Sequence, residues 1–271
     1  MPELPEVETT CKGISPHLTN KTISKIIIRQ PKLRWPIPSK IKSLLPDIKI
    51  QSVTRRAKYI LIKTKLGTLI LHLGMSGSLR IIKSTTPPDK HDHFDLALKN
   101  GFCLRFHDPR RFGCILWTED DPFSHKLLNQ LGPEPLSDNF TADLLHKQSR
   151  NRKINIKQFI MNGHIVVGVG NIYASESLFL AGIHPRKAAN TVSLIRYKKL
   201  VSSIKKVLAA AIKQGGTTLK DFTQSDGKPG YFQQQLNVYG RKGEKCSVCK
   251  KPITHCVLGQ RATYYCTQCQ K

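Results

Sequence analysis

Acidic residues are scarce in this chain. Only 18 Asp and Glu stand against 44 Lys and Arg in 271 residues, a formal net charge of +26. A pI near 10.0 attracts any extended polyanion, with counterion release making the binding salt-sensitive, so nucleic acid is the default partner. A ribosome-associated or merely solubilised basic protein fits the same charge, and charge by itself does not separate the two. Long apolar runs are missing as well. The stretch 60–75 is broken by Lys63, Lys65 and His72 and falls short of the roughly 18 consecutive apolar residues of a membrane helix, so no membrane partner is expected. The opening Met-Pro-Glu-Leu-Pro-Glu has neither the basic start nor the apolar run of an export signal, and a cytoplasmic location is the expectation. Internal repeats and low-complexity tracts are absent, which sets solenoid architectures aside.

What is present suits a folded chain. With 39% hydrophobic residues and 18 Gly the composition sets aside a disordered polycation, and the length suggests two domains. Alternation and β-branching predict strands over 22–29, 51–64, 68–72, 94–99 and 102–106, after a short helical opening. Asn100-Gly101 between the last two predicts a two-residue hairpin turn, hence an antiparallel sandwich or barrel. From about Thr141 the apolar period becomes helical, and the prolines of 131–140 suit a hinge, with the boundary near Pro133. The stretch 215–243 reads as a loop and linker.

Five of the eight cysteines fall in the last 26 residues. Cys246-x2-Cys249 and Cys266-x2-Cys269 are separated by 16 residues, the spacing of a four-thiolate zinc ribbon rather than of disulfides. Four thiolates leave no open position, so one structural zinc is expected, with His255 and Cys256 read as hairpin residues. The lysines around the pairs and Arg261 suggest contact with phosphate.

Three of the 18 acidic residues, Glu3, Glu6 and Glu8, crowd into the first eight positions. Once the initiator Met is removed, Pro2 offers a secondary α-amine, which titrates about 2 to 3 units below lysine and is more nucleophilic at neutral pH. Its attack on a sugar C1′ gives an iminium ion, an electron sink, and Glu3 beside it can move protons. A proline-rich helix start with acids near the helix dipole accounts for the same residues. His107-Asp-Pro-Arg-Arg-Phe-Gly113 puts two arginines and a ring on a turn that can wedge between bases, as can Met75, or else forms a solvated basic turn over core residues. The glycine-rich turn before Asn171 opens a helix and suits phosphate or simple capping. It lacks the GxGxxG pattern, so no nucleotide cofactor is expected.

Together these segments resemble the bacterial formamidopyrimidine-DNA glycosylase family over essentially the whole chain. The resemblance is carried by PELPEVET at the start, RRAKY at 55–59, HLGMSGSL at 72–79, KHDHFD at 90–95, DPRRFG at 108–113 and LGPEPLS at 131–137. It continues with VGVGNIYASE at 167–176, QGGTTLKDF at 214–222, SDGKPGYF at 225–232 and the ribbon with GQRATYYC. It implies an α+β fold: an N-terminal antiparallel β-sandwich with flanking helices over 1–132, a helical domain with a helix-two-turns-helix element over 133–235, and a zinc ribbon over 236–271. It implies a base-excision DNA glycosylase and AP lyase acting as a monomer on duplex DNA with oxidised purines or abasic sites, through a Pro2 Schiff base and β,δ-elimination. Pro2 is then the nucleophile, Glu3 the general acid, Lys58 a second essential group, and Arg261 a participant in strand cleavage. Met75, Arg110 and Phe112 resemble residues that fill the space of a flipped nucleotide, and His91, Arg152, Lys157, Asn171 and Arg261 resemble DNA-backbone contacts. The loop 217–231 resembles a lid over the extruded base. His107 departs from the family pattern, where a smaller polar residue is expected. An endonuclease VIII-like pyrimidine enzyme is the nearest alternative, disfavoured by PELPE in place of PEGPE and by the intact Arg-Arg-Phe segment. A non-catalytic zinc-ribbon DNA-binding protein and a ribosomal protein are the alternatives from other classes.

Overall fold

The chain enters a helix at once because its first residues are built for it. Glu3 and Glu6 form a capping box and Pro5 presets the backbone of the first turn, so α1 runs Leu4–Leu18. Leu4, Val7, Cys11, Ile14 and Leu18 recur every three or four residues and are buried, giving the helix one apolar face.

The computed structural model describes residues 2–215 and 236–271. They belong to two compact units, one built on 2–129 and one on 130–213 with 236–271. In the first unit, α1 is followed by β1 (Ile23–Ile28), the short α2 (Ile41–Leu44), β2 (Ile50–Arg56), β3 (Tyr59–Thr64), β4 (Gly67–His72), β5 (Ser78–Lys83), β6 (Asp92–Leu98), β7 (Phe102–His107) and β8 (Cys114–Thr118). Two four-stranded sheets, ordered β1-β6-β7-β5 and β2-β3-β4-β8, are antiparallel throughout. Residues of both sheets and of α1 share one hydrophobic core, among them Ile14, Ile62, Leu71, Phe94 and Phe106. This is a β-sandwich with a helix against it.

The structure departs from the sequence in three places. The run 51–64 is two strands, because Ala57 takes a left-handed conformation (φ 53°) and turns the chain between β2 and β3. The β6–β7 hairpin closes through three residues, 99–101, with only Gly101 left-handed (φ 85°), the type I turn plus left-handed residue that accommodates one extra position. Strands β5 and β8 were not foreseen. Every residue of β6 is buried, so its two carboxylates must be paired inside the sheet. Arg105 binds Asp95 in bidentate fashion at 2.9 and 2.8 Å.

The second unit contains α3 (Ala142–Ser149), α4 (Ile156–Met161), α5 (Asn171–Leu180), α6 (Leu194–Lys213) and a hairpin of β9 (Thr254–Leu258) and β10 (Arg261–Tyr265). Thr141 and Asn155 cap α3 and α4 through their side chains, and α6 buries Tyr197, Leu200, Ile204, Leu208 and Ala211 along one face. Helices α4 and α5, joined through 162–170, supply the helix-two-turns-helix element. The stretch read as a hinge is bonded into this unit: Gly132 N donates to Gly163 O at 2.8 Å and Val167 N to Pro133 O at 3.2 Å. No helix among the described residues is long and apolar enough to cross a membrane.

Candidate functional site

In the first unit the candidate side chains lie at the start of α1 and on three loops. Pro2 is buried, and so are the neighbouring Glu3 and Glu6, with Glu3 N donating to Glu6 Oε2 at 2.8 Å. Farther along α1, Glu8 accepts from Arg55 Nε at 2.6 Å, and Arg55 Nη1 donates to Ala57 O at 2.8 Å. The helix is thereby tied to the turn that carries Lys58, which is half-buried. Pairing of Tyr59 with His72 brings β4 alongside that turn. Burial first, then the positive charges of Lys58 and Arg34, push the His72 imidazole down to about 4. Gly74 N donates to His72 Nδ1 at 2.9 Å, which assigns the ring proton to Nε2.

The loops bearing Met75 and Phe112 are packed backbone to backbone. Gly74 is left-handed (φ 65°), and a Cβ there would strike Phe112 and Gly113 main-chain atoms. Asp108, fully buried, holds both loops with one carboxylate: Ser76 Oγ donates to Oδ1 at 2.9 Å and Gly113 N to Oδ2 at 2.8 Å. Above this anchor Met75 is 36% and Phe112 46% exposed, and the Arg110 guanidinium lies over the Phe112 ring at 4.8 Å. Two apolar tips and a cation thus project together. Beside them is a cleft of about 590 Å³ lined by Leu33, Arg34, His72, Met75, Arg111 and Phe112. His91 belongs to a separate group, with its ring 6.1 Å from His93 and 5.9 Å from His107.

The second unit assembles another polar cluster. Lys157, expected at a DNA backbone, is 1% exposed, and its ammonium donates to Asn171 Oδ1 (2.7 Å), Ala262 O (2.9 Å) and Thr263 Oγ1 (2.7 Å). Asn171, which accepts from it, stands at the start of α5, and its amide donates to Tyr239 Oη at 3.4 Å. Arg261, at the head of β10, is exposed, as is Arg152, which donates to Gln148 O at 3.1 Å. The hairpin tip is seated against α4, since a Cβ on Gly259 would meet the Gln158 amide. Glu176 of α5 orders the segment that carries Tyr239: its carboxylate accepts from Asn237 N, Asn237 Nδ2, Val238 N and Tyr239 N at 2.8 to 2.9 Å.

The sulfur atoms of Cys246, Cys249, Cys266 and Cys269 all lie within 4.8 Å of one another, with Cys246–Cys269 at 3.9 Å and Cys249–Cys266 at 3.3 Å. A tetrahedral zinc with bonds of about 2.3 Å sets its sulfurs about 3.8 Å apart, so the four thiolates fit one zinc ion. Among the described residues this is the one cluster that suits a metal, and it excludes His255 and Cys256.

Three family models match the chain in order: the formamidopyrimidine-DNA glycosylase N-terminal domain over residues 1–115, the H2TH domain of the same enzyme over 131–223, and the zinc finger found in FPG and IleRS over 243–271. The formamidopyrimidine-DNA glycosylase of Alteromonas mediterranea is 58% identical over 271 residues, covering 100% of both chains. The chain belongs to the formamidopyrimidine-DNA glycosylase family. The glycosylase of Photobacterium profundum is 56% identical over the same span, again covering 100% of each chain. Among solved structures, MutM (Fpg) from Thermus thermophilus superposes with a TM-score of 0.88 at 35% identity, covering 99% of this chain and 98% of that one. Lactococcus lactis Fpg bound to DNA containing N7-benzyl-Fapy-dG gives a TM-score of 0.91 at 33% identity over 100% of both chains.

Within this glycosylase fold, sequence reasoning missed Asp108, Glu176, Tyr239 and the placing of His72 near the Lys58 charge. Asp108 and Glu176 lie in motifs that were singled out, but their buried acceptor roles emerge only when distant backbone groups converge on them. The segment 217–231, read as a lid, lies outside the described residues.

Proposed function

We propose that this chain removes oxidised purines, 8-oxoguanine and formamidopyrimidines, from duplex DNA and then cleaves the strand at the resulting abasic site. The observation that carries the proposal is the burial of Pro2 with Glu3 at the head of α1, in a chain related over its full length to formamidopyrimidine-DNA glycosylases. The Pro2 amine attacks C1′ and the C1′–N bond to the damaged base breaks, its electron pair leaving with the base, which takes up a proton. Glu3 supplies a proton as the sugar ring opens, and the iminium between Pro2 and C1′ acidifies C2′. Loss of a C2′ proton expels the 3′ phosphate, a second elimination expels the 5′ phosphate, and water releases Pro2.

Lys58, half-buried beside the neutral His72, holds a phosphate and assists proton transfer, and Arg261 participates in strand cleavage. Met75, Arg110 and Phe112 enter the gap left by the extruded nucleotide. His91, Arg152 and Asn171, the last backed by Lys157, hold the DNA backbone. Zinc contributes the folding of the ribbon. In this scheme 1–132 is the catalytic part, 133–235 the helical DNA-binding part and 236–271 the ribbon of a monomeric cytoplasmic enzyme.

Borohydride trapping on a duplex with 8-oxoguanine opposite cytosine tests the chemistry, with undamaged duplex as control. Wild-type protein is expected to form a covalent adduct that Pro2→Gly abolishes while duplex binding persists. Absence of an adduct from folded, zinc-loaded protein shown by intact mass to lack Met1 would move the assignment to non-catalytic DNA binding.

A further inference from the structure

His91 immediately precedes β6, and its ring packs against two others. His93 lies 6.1 Å away at 75° and His107 5.9 Å away at 81°, so both flanking rings meet it edge to face. Each flanking ring is itself fixed: His93 Nε2 bonds Asp108 O at 3.0 Å and His107 Nδ1 bonds Asp92 Oδ1 at 2.9 Å. Asp92 is an immobile anchor, 2% exposed. It accepts from Arg80 Nη2 at 2.6 Å and Asp89 N at 2.8 Å, and lies 3.5 Å from the Arg105 guanidinium.

Position 107 faces Asp92 across the β6–β7 register, and the His107 side chain remains 27% exposed. It is therefore not required to fill the core, and Asp92 keeps its arginines without it. Among the described residues no hydrogen bond occupies the ring nitrogens of His91, and its ring contacts are those with His93 and His107. A small polar side chain at 107 preserves the strand end but removes one of the two ring contacts of His91.

We infer that His107 is a positioning residue: anchored on Asp92, it holds the His91 imidazole in the orientation that meets a DNA phosphate. This rests on the proposal that His91 contacts the DNA backbone. A ring held before binding loses less rotational freedom when the phosphate arrives. Position 107 then sets how tightly His91 grips DNA without touching the DNA itself.

The test uses full-length, zinc-loaded protein as wild type, His91→Ala, His107→Thr, His107→Phe and the His91→Ala/His107→Thr double variant. Affinity is measured on a duplex with a tetrahydrofuran abasic analogue, and KM and kcat on an 8-oxoguanine duplex. Loss of the His91 contact is expected to weaken affinity about tenfold, and His107→Thr about three- to fivefold in both affinity and KM with kcat unchanged. The double variant should be no weaker than His91→Ala, and His107→Phe, which keeps a ring, should lie nearer wild type than His107→Thr. In DNA-free protein the His91 ring NMR signals should move in His107→Thr while the melting temperature holds. Additive losses, wild-type affinity in His107→Thr, or unmoved His91 signals would overturn the inference. If His91→Ala binds as wild type, the phosphate contact itself is refuted and the inference falls with it, whatever the ring signals show.

Discussion

His72 shows how far a fold can move one side chain from its ordinary chemistry. Its ring is pushed down to about 4 by burial and by the charges of Lys58 and Arg34, against 6.5 when unfolded. Between pH 6.5 and about 4 the unfolded chain binds a proton that the folded one refuses, so this group makes stability fall as pH drops through that window. Above pH 6.5 both states are neutral and the dependence vanishes, and below about 4 the loss is complete at up to about 3 kcal/mol. His93, His125 and His184 are lowered as well and contribute in the same direction. Asp92 and Asp95, both lowered below 3.8, act in more acid solution. His72→Asn keeps an acceptor for Gly74 N, and urea unfolding at pH 7, 5.5 and 4.5 is expected to show a shallower loss of stability than in wild type. Equal slopes would mean that His72 titrates normally. None of this was legible in the sequence, where His72 interrupts an apolar run and opens the segment 72–79 but nothing marks it as a buried neutral ring. Its meeting with Lys58 is a product of strand pairing between β3 and β4.

At the scale of elements, Gly74 decides whether two loops can meet. A Cβ there would strike the Phe112–Gly113 main chain, and the left-handed backbone adds its own strain. Gly74→Ala is expected to destabilise the protein by about 3 kcal/mol, read as a lower urea midpoint with an unchanged m-value. A midpoint shift of a few tenths of a molar or less would show that the loops separate easily. The elements themselves were largely readable, because amphipathic period and cap residues act locally: the apolar period turns helical near Thr141, and α3, α4, α5 and α6 all lie beyond it. The turn at Ala57 was not, since neither Gly nor Pro marks it and the residues on both sides favour strand. The two cysteine pairs stood out because metal geometry constrains spacing along the chain itself. The burial of Lys157 was hidden for the opposite reason, as two of its acceptors belong to a hairpin more than a hundred residues away.

At the scale of the whole molecule, a charge of +26 attracts a polyanion, and in the proposed function the zinc ribbon carries part of the DNA-binding surface. The hairpin supplies Ala262 O and Thr263 Oγ1 to Lys157 and presents Arg261. Removal of zinc by a chelator is expected to weaken duplex affinity about tenfold or more, with recovery on adding zinc back. Unchanged binding by protein shown to be metal-free would make the ribbon dispensable. Asp108 has a different kind of consequence. One carboxylate clamps the loops of Met75 and Phe112, so the spacing of the two tips is settled during folding and not during encounter with DNA. In the proposed function such a pair behaves as a gauge of fixed width: it would probe whether a stack of bases parts by that amount, and a stack that resists would be left unopened.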